Sequence, residues 1–228
     1  MKRILWIGLL VCCWTTSSPA FTSCNDAVGD FTPSGFGYLD ITGVVVSNDL
    51  TTLTFQIHLA ANPLTVDWAK YLVGLDTVPG GNTTGPDGWG KPISMSEGGM
   101  DYFIGSWMNF GTGAELRTWT GSAWTLVSGS GISVATGPSS VVLSLPMGTL
   151  GLNVGDTFRF DVYTTSDGNA VLDALSTSDP RSWNNNPFDT GSQARSYTLV
   201  PEPNLLGLLI LGGGLWWQAR RGRRRTGM

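Results

Sequence analysis

The chain has 228 residues, room for one domain of ordinary size or two small ones, with 13% charged residues against 31 glycines and 10 tryptophans. Sparse charge with abundant Ser and Thr suits short strands joined by glycine turns, and the supply of Trp, Phe, Val and Leu excludes a disordered chain. The net charge of −4 hides an acidic middle: residues 21–199 carry six basic and 16 acidic side chains, −10 in all, which repels a phosphate backbone and excludes nucleic acid as a partner.

Residues 1–20 have the order of a secretory signal peptide. Lys2 and Arg3 form its positive end, Ile4 to Trp14 its apolar centre, and Ser18-Pro19-Ala20 the small residues before a cut after Ala20. The apolar run is short for a bilayer span of about 20 residues. Cys12 and Cys13 leave with this segment, so Cys24 stands alone as a free thiol and no intrachain disulfide is expected. Phe21-Thr22-Ser23 before Cys24 does not fit a lipidation motif.

The middle, residues 21–199, reads as one all-β ectodomain. Asp40 to Leu59 is expected as a hairpin turning at Ser47-Asn48-Asp49, because Leu53, Phe55, Ile57 and Leu59 alternate with Thr52, Thr54, Gln56 and His58. His58, the only histidine, falls on the polar face of this strand. Tyr71 to Asp76 is a second strand, followed by a loop from Val78 to Lys91 with five glycines, two prolines and Trp89. Asp101 to Trp107 is another strand, and Glu115–Trp119 with Ala123–Val127 form a hairpin over Thr120-Gly121-Ser122. Val141 to Leu145, Thr157 to Thr164 and Arg195 to Val200 complete the set, with Phe158, Phe160 and Val162 on one face. Strands spaced about 8–12 residues apart without a long helical period predict a two-sheet antiparallel sandwich.

Chemistry-bearing residues are few. One histidine on an exposed strand face leaves no material for a Ser-His-Asp or Cys-His arrangement, or for a zinc site, so the chain is read as a non-enzyme. Glu97, Asp101 and Glu115 remain as a carboxylate set of the glycosidase type, the alternative under which the protein hydrolyses a polysaccharide. Flat aromatics in loops and turns suit sugar stacking instead: Trp89, Trp183, Trp119 and Trp124, with Asp101 and Arg117 to bond hydroxyls. Burial between sheets explains the same tryptophans, and for Trp107, inside an apolar strand, the core is the expectation. Hard oxygen donors for calcium are offered by Asp26 and Asp30, or by Asp76 and Asp87; turn-forming acids explain these residues equally. Asn82-Thr83-Thr84 reads as a turn.

The end of the chain, residues 200–228, has three features in order. Val200-Pro201-Glu202-Pro203 halts any preceding strand. A hydrophobic helix is expected over 204–219, about 24 Å long and short of a roughly 30 Å hydrocarbon core. Arg220, Arg221, Arg223, Arg224 and Arg225 then hold the end on the cytoplasmic side, with Trp216 and Trp217 at the interface.

This order resembles the PEP-CTERM sorting signal of Gram-negative bacteria that make exopolysaccharide. The resemblance implies export, a transient inner-membrane intermediate, and processing by signal peptidase and by exosortase, a membrane cysteine protease. A plain tail anchor is the alternative. The stretches Tyr71-Leu72-Val73-Gly74-Leu75-Asp76, Gly88-Trp89-Gly90-Lys91-Pro92-Ile93 and Gly99-Met100-Asp101-Tyr102 resemble carbohydrate-binding-module-9-like and DOMON-like sandwiches of the jelly-roll kind. That resemblance extends to Leu145-Pro146-Met147 and Gly155-Asp156-Thr157-Phe158. It implies a glycan-associated surface and a calcium site, at which Asp26, Asp30 and Asp40 are the corresponding acids. The resulting expectation is a non-catalytic sandwich at the cell surface or in the extracellular polysaccharide matrix, with a ligand-free structural matrix protein as the rival.

Overall fold

The computed structural model describes residues 21–184 and 187–201. The expected signal segment, the helix over 204–219 and the arginine cluster lie outside the described residues. Among the described residues no helix is long and apolar enough to cross a membrane.

Strands are numbered in chain order, and they form two antiparallel sheets facing each other. The first sheet has five strands in the order β1 (Phe21–Asn25), β2 (Ile41–Asn48), β3 (Thr52–Leu59), β10 (Ser140–Pro146) and β9 (Ser133–Gly137). The second has seven, in the order β12 (Val171–Ala174), β11 (Thr157–Thr165), β4 (Lys70–Asp76), β6 (Tyr102–Trp107), β7 (Gly113–Trp119) and β8 (Trp124–Leu126). The seventh, β14 (Arg195–Thr198), pairs with the first half of β11, next to β12 on the same edge. A small parallel pair, β5 (Ile93–Ser94) and β13 (Phe188–Asp189), lies apart from both sheets.

Period-two alternation builds the space between the sheets. From the first sheet Val44, Val46, Leu53, Phe55, Ile57, Val141, Leu143 and Leu145 point inward, all essentially without exposure. They meet Tyr71, Val73, Leu75, Ile104, Leu116, Phe158, Phe160 and Val162 from the second sheet. Phe55 centres this layer, with its ring 5.6 Å from Phe160 and 6.3 Å from Phe158, edge-on to both. The β2–β3 turn closes where Asp49 Oδ1 accepts the N–H groups of Thr51 and Thr52, each at 2.7 Å.

The second sheet is also covered on its outer face. Leu72, Phe103, Tyr163, Val171 and Ala174 pack there against Ile93, Met95 and Met100 of the loop between β4 and β6, making a second core. That loop is tied down by Asp101, whose Oδ2 accepts Thr77 N–H at 2.7 Å and Val78 N–H at 2.9 Å. Asn82 and Met100 add a reciprocal backbone pair at 2.9 and 3.0 Å. The segment after the expected glycine-rich loop, from Ile93 to Met100, is thus a roof, and β4 runs buried on both sides.

The fold holds on to the chain as far as Val200. Buried Asn48 accepts the Val200 N–H at 3.1 Å and donates to the Val200 carbonyl at 2.8 Å, while Tyr197 O–H donates to the same Asn48 Oδ1 at 2.8 Å. Pro201 is exposed. Among the described residues the side-chain hydrogen bonds of the sandwich thus reach Val200. Truncating the central ring tests the core: Phe55→Ala should lower the free energy of unfolding by about 3–5 kcal/mol, read by chemical denaturation.

Candidate functional site

Aromatic side chains form a row across the outer face of the second sheet. Trp107 lies 6.1 Å from Trp89, Trp89 lies 5.5 Å from Phe103, Phe103 lies 6.3 Å from Trp124, and Trp124 lies 5.5 Å from Trp119. Alternation along β6 causes this: Ile104 faces the core, so Phe103, Gly105 and Trp107 face out. Trp107 is half-buried on the outer face and is not a core residue, a correction that follows from its parity with Phe103. Gly105 lets Trp89 lie flat against the strand, since a Cβ there would meet the Trp89 ring.

Trp89 is aimed by its own loop. Asp87 Oδ1 accepts Trp89 N–H at 2.8 Å and Lys91 N–H at 2.9 Å, which shapes the turn that presents the indole. Burial pushes the Asp87 carboxyl up to about 6 despite these bonds. Glu115 Oε1 accepts both Trp89 Nε1–H at 2.5 Å and Arg117 Nε–H at 2.6 Å. Trp124 Nε1–H donates to the Pro86 carbonyl at 3.0 Å. Each indole of the pair therefore has its polar edge satisfied.

At the Trp107 end the row opens into a depression of about 280 Å³ lined by Lys70, Trp89, Trp107, Asn109 and Phe110. Phe110 is 100% exposed and has φ +54°, in the left-handed region that bulky residues avoid. Lys70 Nζ steadies this loop by donating to Asn109 Oδ1 at 3.1 Å and pairs with Asp167 at 2.8 Å.

The structure brings together Trp89, Trp119, Trp124 and Arg117 and leaves two sequence candidates elsewhere. Asp101 is 7% exposed, and its carboxylate holds Thr77 and Val78. Trp183, 38% exposed, packs edge-on against Phe31 at 5.3 Å and Phe36 at 5.1 Å, and lies 5.8 Å from Trp68. Among the described residues no ring contact joins that group to the row. Of the carboxylate set, Glu97 is exposed, Glu115 is held by Trp89 and Arg117, and Asp101 lies under the loop. Asp76 sits 3.7 Å from Arg159, and its carboxyl is raised to about 6 by burial and by the nearby Asp101 charge. His58 is half-buried on the outer side of β3, and Cys24 is a free, half-buried thiol whose pKa burial raises.

An acidic cluster forms at the β12 edge. Carboxylate oxygens of Asp26, Asp30 and Asp173 lie within 4.8 Å of one another. Asp26 and Asp30 flank the turn after β1, and Asp173 belongs to β12, where its Oδ2 accepts Ile41 N–H at 2.6 Å and its Oδ1 accepts Ala174 N–H at 2.7 Å. The donors are all hard oxygens of the kind calcium takes; Asp30 is 6% exposed with its carboxyl bonded to that of Asp40, and Asp26 Oδ2 is buried without a partner. Asp40, expected as the third acid, directs both oxygens to Gly29 N–H at 2.9 and 3.1 Å beside Asp30. Asp173, which the sequence reading did not single out, joins Asp26 and Asp30. The one clue to it in the sequence is a lone carboxylate inside the apolar run Val171-Leu172-Asp173-Ala174-Leu175.

Burial, with like charges alongside, pushes these carboxyls up: Asp30 to about 6, Asp26 to about 7 and Asp173 to about 9, with Asp40 also raised. Compared with known protein families and with curated proteins, the chain matches none. The pKa shifts make a testable statement about the metal-free protein. Folded pKa values above the usual carboxyl range of about 4 mean that the fold holds protons the unfolded chain releases. The associated stability is full below about pH 4 and is lost as pH rises through 6, 7 and 9. In chelator the unfolding free energy should fall from pH 6 to 9, and Asp173→Asn should flatten the upper part of the slope, measured by denaturant titration at each pH.

Proposed function

We propose that this protein is an exported β-sandwich of the cell envelope or exopolysaccharide matrix of a Gram-negative bacterium, sorted by a PEP-CTERM-type tail, and that it associates with polysaccharide through the aromatic row without catalysing a reaction. Signal peptidase and exosortase are the processing partners in this reading, and the inner membrane is a transient station. The antiparallel two-sheet fold supports the finer comparison with jelly-roll sandwiches of the carbohydrate-binding-module-9-like and DOMON-like kind.

The observation that carries the glycan reading is Phe110. A fully exposed aromatic, held in left-handed backbone at the lip of a depression walled by Trp89 and Trp107, bears a conformational cost that the fold itself gives no reason for. Pyranose rings offer apolar faces that stack on such rings, and Lys70 and Asn109 lie at the same rim to meet hydroxyls.

Polysaccharide affinity electrophoresis should show Phe110→Ala and Trp107→Ala weakening retention by roughly tenfold, the equivalent of about 1.4 kcal/mol, with Trp183→Ala unchanged. Equal retention of all three variants and the parent, or none by any, leaves the ligand-free matrix protein. The tail reading has its own test. Because Asn48 grips both backbone groups of Val200, a protease that needs an extended strand is kept off the chain as far as Val200. Mass spectrometry of the exported protein should find a processed carboxy terminus beyond Val200; an uncut tail in the native host removes the sorting reading.

A further inference from the structure

We infer that the end of the sandwich that holds Val200 is a membrane-facing surface, which lies on a bilayer of zwitterionic headgroups while the tail keeps the chain at the membrane. The docking rests on the tail reading, since residues 204–219 must enter a bilayer, and it is independent of the glycan reading.

Both ends of the sandwich's chain meet at this pole. β1 begins at Phe21, directly after the expected cut, and Phe21 pairs with Ser47 near the end of β2. The next residue, Asn48, holds both backbone groups of Val200. The second sheet has the end of β4 and the start of β11 here, because Arg159 pairs with Asp76 and Thr157 with Thr198. A segment before Phe21 and a tail after Val200 therefore enter one membrane from one side of the folded domain.

The tether is short. From Val200 to residue 204 the chain reaches at most about 14 Å. A headgroup layer is itself about 5–8 Å deep, so the pole stays at or close to the headgroups.

Apolar side chains are gathered where contact would fall. Phe21, Leu50, Val78 and Val154 are 53, 64, 58 and 40% exposed, and they come from four separate segments. Leu50 lies in the β2–β3 turn. Val154 precedes Gly155, whose N–H donates to the Leu199 carbonyl at 2.8 Å. Val78 borders a depression of about 380 Å³ with Thr157 and Phe158. Each contact is weak alone, but the tail makes docking intramolecular, so weak contacts suffice.

Charge selects the kind of surface. Asp49, Glu97 and Asp156 are exposed at this pole, whereas Arg159 is turned to Asp76 at 3.7 Å and to the Glu97 carbonyl at 2.7 Å. Among the described residues the lysines, Lys70 and Lys91, reach the opposite pole around Asp167. Carboxylates without lysines are repelled by anionic lipid and tolerated by zwitterionic headgroups, whose ammonium groups they can meet. Phe110 follows Trp107, which pairs with Lys70 at the far end of β4. Seven-residue β4 sets that corner about 20 Å further out, so the aromatic row opens away from the membrane.

The test reconstitutes the full chain, carrying Cys12→Ser, Cys13→Ser and Cys24→Ser, into vesicles of phosphatidylethanolamine and phosphatidylcholine. A fluorophore is attached at Leu50→Cys, Val154→Cys or, at the opposite pole, Leu64→Cys. Lipid spin-labelled in the headgroup should quench the first two labels roughly threefold more than the third, which lies about 20 Å higher. Adding phosphatidylglycerol should weaken the quenching, and salt should restore it. Leu50→Asp with Val154→Asp, both at exposed positions, should reduce quenching of a Val78→Cys label by roughly threefold. Alkaline carbonate extraction reports whether the tail is inserted. A chain that is extracted overturns the docking together with the tail reading. An inserted chain with equal quenching at both poles, or none at Leu50→Cys, overturns the docking alone. So does disulfide cross-linking of Leu50→Cys between two copies without quenching, which gives the pole to a second copy.

Discussion

Strand β4 is buried on both faces, and the rest of the molecule is arranged around that constraint. Tyr71, Val73 and Leu75 point into the space between the sheets, while Leu72 and Gly74 point the other way and still have no access to water. A strand apolar on both sides needs a layer on each. The first sheet supplies one, and the long loop to β6 supplies the other by laying Ile93, Met95 and Met100 over Leu72 and Tyr163. Gly74 allows the close fit, since a Cβ there would touch the Met100 methyl at 2.8 Å and the Met95 sulfur at 3.2 Å.

Roofing β4 also decides what the outer face presents. The roof does not reach the β6–β7 end of the sheet, and Trp89, carried on the loop's edge, takes the place of further roof by lying over Gly105. From there the aromatic contacts pass to Trp107 on one side and to Phe103 and Trp124 on the other. The surface proposed for polysaccharide is thus the margin of a second hydrophobic core, built on rigid strands and open at the Phe110 corner. The acidic cluster has a comparable origin. β12 adds to the far edge of β11, and its Asp173 arrives where the chain leaving β1 must turn, so carboxylates from distant parts of the sequence share one small volume.

Much of the frame was legible in the residues. The β2–β3 hairpin, β4, β6, β7 with β8, β10, β11 and β14 all follow from alternation and turn residues, because a half-buried strand writes its two faces into the sequence with period two. The strands that alternation did not reveal are short or uniform. β5 and β13 have two residues each, and β12 has four, all buried, so none carries a full period. β9 is a partly exposed edge rich in small residues, and β1 is an exposed edge directly after the expected signal segment. Their existence depends on a neighbour to pair with, which is a tertiary matter.

What the sequence by itself determined is therefore the class of fold, the acidic middle, the order of features at the tail and the pool of aromatics and acids from which a site is drawn. Tertiary structure decided which members of that pool meet. Trp107 left the core because parity with Phe103 placed it on the outer face, Trp183 joined Phe31 and Phe36 instead of the row, and Asp173 from β12 came to lie beside Asp26 and Asp30. The physical reason is the same in each case. Side-chain direction along a strand is local and readable, whereas proximity between strands is set by pairing order and by which face a long loop covers, and no local pattern encodes either.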